Sequence, residues 1–133
     1  MKKLLLVLVL VLGFTSCSQD EDCDLGIGQF DGKYQRVSYS VYQEDGTVNT
    51  FPQATDGSQM LVELEIKDGV WTWIYNACEC PNYTIGYQEV VGDVIGNVMF
   101  KDSQVQYTLS TVNGDVINAT TYDGVAFETF KRK

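Results

Sequence analysis

From Phe30 onward, apolar and polar positions alternate with a period of two, the repeat of a strand with one buried face. Val37, Tyr39 and Val41 share one face of the first such segment. Met60, Val62, Leu64 and Ile66 alternate with Leu61, Glu63, Glu65 and Lys67. Trp71, Trp73 and Tyr75 oppose Val70, Thr72 and Ile74. Tyr83, Ile85 and Tyr87 follow, then the apolar-rich run Val94 to Phe100. Val105, Tyr107 and Leu109 oppose Gln104, Gln106 and Thr108, and Val116 to Tyr122 and Val125 to Phe130 complete the set. Asp31-Gly32, Asp45-Gly46, Asp56-Gly57, Asp68-Gly69, Asn113-Gly114 and Asp123-Gly124 punctuate these segments, with Gly92-Asp93 a weaker member. Such dipeptides tolerate the positive φ of tight hairpin turns. No stretch carries the i, i+3, i+4 period of an amphipathic helix.

The pattern therefore predicts an all-β domain over residues 30–133. Sequential antiparallel strands joined by hairpins must dispose of their open edges. Closure into a small up-and-down β-barrel of about eight strands does so completely; a β-sandwich, the alternative, does so in part. Hairpin turns between nearly all neighbours favour the barrel, because a sandwich with crossovers needs longer connections.

Upstream of Phe30 the pattern changes. Lys2 and Lys3 precede an unbroken apolar run from Leu4 to Leu12. A basic start followed by a short apolar stretch is the layout of an export signal. The run is about nine residues, against roughly 20 for a transmembrane helix. The sequence Phe14-Thr15-Ser16-Cys17 resembles the lipobox of bacterial lipoproteins. The resemblance implies that residues 1–16 are a signal peptide removed by signal peptidase II and that Cys17 carries acyl chains. Gln19-Asp20-Glu21-Asp22, after Ser18, is similar to the acidic export signal of surface lipoproteins. Residues 17–29 then form a lipidated acidic tether, and the chain is expected at the outer membrane, facing the cell exterior. Two or more acyl chains anchor stably, at about 0.8 kcal/mol per buried methylene.

The formal charge of −9 becomes more negative once Lys2 and Lys3 are removed. It argues against nucleic acid, whose phosphates call for a basic face, and it repels anionic lipid, so the acyl chains must supply the membrane contact. The chain has no histidine. This removes the commonest general base and metal ligand, and the Ser-His-Asp and Cys-His arrangements with them. Glu63 and Glu65 lie on one strand face, but it is the polar face of a clean alternation and reads as solvent-facing. No catalytic residue, cofactor or metal site is expected, and the protein reads as a non-enzyme.

Cys78-Glu79-Cys80 and Cys23 are the remaining unusual polar feature. Structural zinc sites use Cys-x₂-Cys spacing more often, whereas exported thiols tend to pair. With Cys17 taken by lipid, three thiols remain for one bond: the expected bond joins Cys23 to Cys78 or to Cys80, and the alternative, Cys78–Cys80, is strained by its short loop. A bond from Cys23 closes a loop of about 55 residues and stabilises by roughly 4 kcal/mol in the chain-entropy model.

Gly32-Lys33-Tyr34, Val37-Ser38-Tyr39 and the Asp45-Gly46 turn, with the ending Ala126-Phe127-Glu128-Thr129-Phe130-Lys131-Arg132, resemble small bacterial lipocalin-like domains. The family has a tryptophan where this chain has Tyr34. That tryptophan plugs the barrel floor against a late arginine. The expected function is binding of a small apolar ligand at one barrel mouth, lined by Trp71, Trp73, Tyr75 and Tyr87, whose flat apolar faces and polar edges suit such a site. The alternative is a surface interaction module that docks an outer-membrane partner protein through outward-facing aromatics. The face of the 70–75 strand that points inward separates the two.

Overall fold

The computed structural model describes residues 28–133. The signal segment, Cys17, Cys23 and all but the last two residues of the expected tether lie outside the described residues.

The described chain is built of strands and holds no helix. They are β1 (Gly32–Tyr42), β2 (Val48–Pro52), β3 (Val62–Lys67), β4 (Val70–Tyr75), β5 (Cys78–Cys80), β6 (Tyr83–Ile85), β7 (Gln88–Ile95), β8 (Val98–Lys101), β9 (Gln104–Asn113), β10 (Val116–Thr121) and β11 (Ala126–Arg132). The main sheet runs β11-β10-β9-β8-β7-β4-β3-β1-β2, and β11 also pairs with β1. That last pairing closes an eight-stranded antiparallel up-and-down barrel, with β2 as one additional strand. The sandwich is thereby set aside. β5 and β6 form a separate two-stranded hairpin above the barrel.

β1 makes the seam. One of its edges follows β11 from Tyr34 to Val41. Its other edge pairs first with β3, over Gly32–Gln35, and then with β2, over Ser38–Tyr42. A bulge between Arg36 and Ser38 inserts one extra residue, Val37, and shifts the alternation. Tyr34 and Arg36 therefore point inward before the bulge, and Tyr39 points inward after it. The sequence reading put Val37 on the same face as Tyr39 because a bulge leaves no mark in a period-two pattern.

The turns differ from the expectation at three places. Gly92 lies inside β7, opposite Trp71. A Cβ there would meet the Phe100 carbonyl oxygen and would stand 2.5 Å from Trp71 Nε1. The glycine makes room for the indole, which donates from Nε1 to the Phe100 carbonyl at 2.9 Å. The expected strand from Val94 to Phe100 is broken by a turn at Gly96 and Asn97, where Gly96 has φ 62°. Asp102 and Ser103, both at positive φ, make the β8–β9 turn without glycine.

Inside the barrel, inward residues from both halves of the chain meet. Trp71, Leu64, Met99, Leu109, Ile117 and Phe130 are all buried, each aliphatic or aromatic side chain contributing about 1.5–3 kcal/mol. The floor is closed by Tyr34, whose hydroxyl donates to the Phe30 carbonyl at 2.7 Å. Arg132 lies over the Tyr34 ring, 5.0 Å from its centroid, donates to the Tyr34 hydroxyl and holds the Asp31 carbonyl at 2.7 Å. A tyrosine and a late arginine thus close the end at which the described chain begins. Gly28, Phe30 and Asp31 sit there against the turns at Gly69 and Gly96.

Candidate functional site

Trp71, Trp73 and Tyr75 face inward, as their alternation with exposed Val70 implies. They do not line a void. Both tryptophans are 2% exposed. Trp73 stacks on Tyr107 with ring centroids 4.9 Å apart and takes the edge of Phe130 at 5.1 Å. Its indole N–H is buried without a hydrogen-bond partner. An eight-stranded barrel is just wide enough to be filled by side chains or to hold one small ligand, and this interior is filled around the tryptophans. Tyr87 is not brought to them. It lies just before β7, 57% exposed, with its hydroxyl donating to Glu89 at 2.9 Å.

Open space bordered by aromatic and charged side chains lies higher up, where β1 passes from β3 to β2. A cleft of about 480 Å³ opens there. Tyr39 and Phe51, paired across β1 and β2, form one wall, with rings 6.4 Å apart and inclined by 28°. Met60, Asn82 and Tyr83 form the other, Tyr83 being carried by the β5–β6 hairpin. Arg36 and Glu128 make the floor.

These two residues are 92 positions apart in the chain and meet at 2.7 Å, Arg36 Nη1 to Glu128 Oε1. Their side chains are 18% and 9% exposed. Arg36 Nε donates to Gln53 Oε1 at 2.9 Å, and Gln53 Nε2 donates in turn to the Met60 carbonyl at 2.9 Å. Gln53 thus bridges the gap between β2 and the segment leading into β3, and it fixes the guanidinium. Burial pushes the Glu128 carboxyl above its ordinary range, against the opposing pull of Arg36. Burial and then the Glu128 charge also raise the Tyr75 and Tyr107 hydroxyls. Among the described residues, Glu128 Oε2, Arg36 Nη2 and the Asn82 amide have no side-chain hydrogen-bond partner.

Sequence reasoning missed Arg36, Gln53 and Glu128 as site residues. A signal existed for two of them. Glu128 stands at period two between Ala126 and Phe130, and Arg36 two after Tyr34, so each is a charge on an otherwise apolar face. Gln53 gave none, since the partners that fix it, Arg36 in β1 and the Met60 carbonyl before β3, lie in two other segments.

Cys78 and Cys80 are bonded to each other, with Cα atoms 5.3 Å apart. They tie the β5 strand to itself in the short-loop pairing, where a bond from Cys23 to one of them was the expectation; with Cys78 and Cys80 joined to each other, neither is left for Cys23. Glu63 lies on the outer surface, where Lys133 and Asn76 donate to it. The Lys133 hydrogen bond, ahead of smaller contributions, holds its carboxyl below the ordinary range.

The chain matches no protein-family model, no curated protein and no solved structure. Strand order and packing define its class: a small closed up-and-down β-barrel, filled below and open to a ligand-sized cleft at its mouth.

Proposed function

We propose that this chain is a lipid-anchored, non-enzymatic binding protein of the outer membrane that holds a small molecule with an apolar face in the cleft at the barrel mouth. The observation that carries the reading is the cleft floor. Arg36 and Glu128 are drawn into the barrel, fixed by Gln53, and left with a donor and an acceptor facing open space. Among the described residues only Trp73 Nε1 is a side-chain polar atom both buried and unpartnered, so these two groups meet solvent in the free protein, and a bound molecule with matching groups would take the place of that water. The aromatic wall of Tyr39 and Phe51 offers the apolar contact. The cleft therefore replaces Trp71 and Trp73 as the place where the ligand sits. The Tyr34–Arg132 floor supports the lipocalin-like reading of the barrel, with tyrosine in the place of the family's tryptophan. The lipobox-like Phe14-Thr15-Ser16-Cys17 supports the anchor, and the acidic run behind it supports exposure on the cell exterior.

Native mass spectrometry of the protein released from its own host tests the binding reading. A retained adduct is expected, and Phe51→Ala, at a position already 57% exposed, should lose it without loss of folding. A clean apo mass in the wild type, or an adduct kept undiminished by Phe51→Ala, refutes the placement. Labelled palmitate should enter the wild type and not Cys17→Ala; equal labelling of both refutes the anchor.

A further inference from the structure

The chemistry of the cleft narrows its ligand, provided the binding reading above holds. We infer that the cleft takes an uncharged, polyhydroxylated ring compound, a saccharide, with its hydroxyls on Arg36, Glu128 and Asn82 and its C–H face against the Tyr39–Phe51 wall.

Charge comes first. Arg36 and Glu128 neutralise each other at 2.7 Å. An anionic ligand on Arg36 Nη2 would lie beside the Glu128 carboxylate and be repelled by it, unless it drew Arg36 away and left that carboxylate unpaired inside the barrel. A cationic ligand would have to approach a guanidinium already seated on that carboxylate. Removing one partner from a buried pair is strongly unfavourable, so the floor discriminates against both signs. A neutral ligand leaves the pair intact.

Hydrogen bonding comes second. Arg36 Nη2 can only donate and Glu128 Oε2, when ionised, can only accept. Neighbouring hydroxyls on a ring each donate and accept, so one can take the guanidinium proton while the next gives its own to the carboxylate. The Asn82 amide, which does both, stands on the opposite side of the cleft. Gln59 adds a second amide there: its Oε1 accepts from the Ala54 backbone at 3.2 Å, and its Nε2 has no partner among the described residues. A purely apolar ligand would cover these groups and leave them unpaired, which is how polar sites reject analogues lacking a matching hydroxyl.

Shape comes third. Tyr39 and Phe51 project from paired positions on adjacent strands with ring planes 28° apart, and both border the cleft, so aromatic surface is available to the C–H face of a ring. The cleft opens to solvent beyond Tyr83, so a longer chain can extend outward from the ring that is held.

The test uses the full-length, ¹⁵N-labelled protein in detergent micelles. It is titrated separately with maltose, cellobiose, lactose and N-acetylglucosamine, and with benzoate, phenethylammonium and indole as anionic, cationic and apolar probes. At least one neutral sugar should move the Asn82 and Gln59 side-chain amide signals and the Arg36 Nε signal saturably, at least tenfold more tightly than any of the other three probes. Asn82→Ala and Glu128→Gln should each weaken that sugar tenfold or more. Should Glu128→Gln lose its amide dispersion, Asn82→Ala alone decides. Saturable binding of benzoate, phenethylammonium or indole with none of any sugar would overturn the saccharide class and leave the cleft reading standing. Sugar binding untouched by Asn82→Ala would overturn the arrangement. No response to any probe would sink both.

Discussion

Two tryptophans two residues apart on β4 have opposite hydrogen-bonding fates, and substitution should tell them apart. Trp71 donates to the Phe100 carbonyl at 2.9 Å, while the Trp73 N–H is buried with no partner. Phenylalanine at either position loses comparable ring volume. At 71 it also strands a carbonyl; at 73 it removes an orphan donor. Trp71→Phe is therefore expected to cost more than Trp73→Phe, by about 1–2 kcal/mol, in urea unfolding. The Arg36–Glu128 pair makes a second prediction. Removing Arg36 leaves Glu128 buried and unpaired, so Arg36→Met should destabilise by about 3 kcal/mol at neutral pH. The sign of the pH dependence follows from Glu128. Its folded-state value is raised, so its contribution to stability is greatest below the unfolded carboxylate range and is lost as pH rises through the folded value. Without Arg36 the rise is larger. The deficit of Arg36→Met should then shrink when unfolding is repeated near pH 4.5, and an unchanged deficit would contradict the assignment.

Among the elements, β7 shows what a strand pattern conveys and what it withholds. Alternation located most of the strands because burying one face of a pleated strand forces a period of two. It could not separate a glycine that turns the chain from one that yields to a neighbour. Gly92-Asp93 has the composition of a turn, yet Gly92 sits mid-strand because Trp71, on the strand beside it, needs the volume of its missing side chain. That information is held by the pair and not by either residue. Gly92→Ala should accordingly cost about 3 kcal/mol, the upper part of the usual range for overpacking, with hydrogen exchange rising first where β7 meets β8. The β5–β6 hairpin supports a contrasting prediction. A cross-link between residues two apart closes almost no loop, and the chain-entropy model assigns it only about 1.5 kcal/mol. Reduction should lower the unfolding midpoint slightly. A loss nearer 4 kcal/mol would instead point to a bond that closes a long loop, as one from Cys23 would.

Over the whole molecule, the barrel divides into a filled lower part and an open upper part. Hairpin signals made the ring of strands legible, because short connections leave neighbouring strands no choice but to pair. The division was not legible. It depends on the bulge at Val37 and on β1 exchanging β3 for β2, both set by partners far along the chain. With both tryptophans in the filled part, their emission should be blue-shifted and weakly quenched by acrylamide. Strong quenching in the folded protein would contradict the packing of the barrel.

The described chain begins beneath the barrel, beside the Tyr34–Arg132 plug, and the cleft lies at the opposite rim. The described chain therefore enters the barrel by its base. The rim keeps its headroom: an object too bulky to slip beneath the barrel can still present one protruding end to Tyr39 and Phe51. On the proposed reading, attachment and capture belong to opposite poles of one small barrel, so neither has to make way for the other.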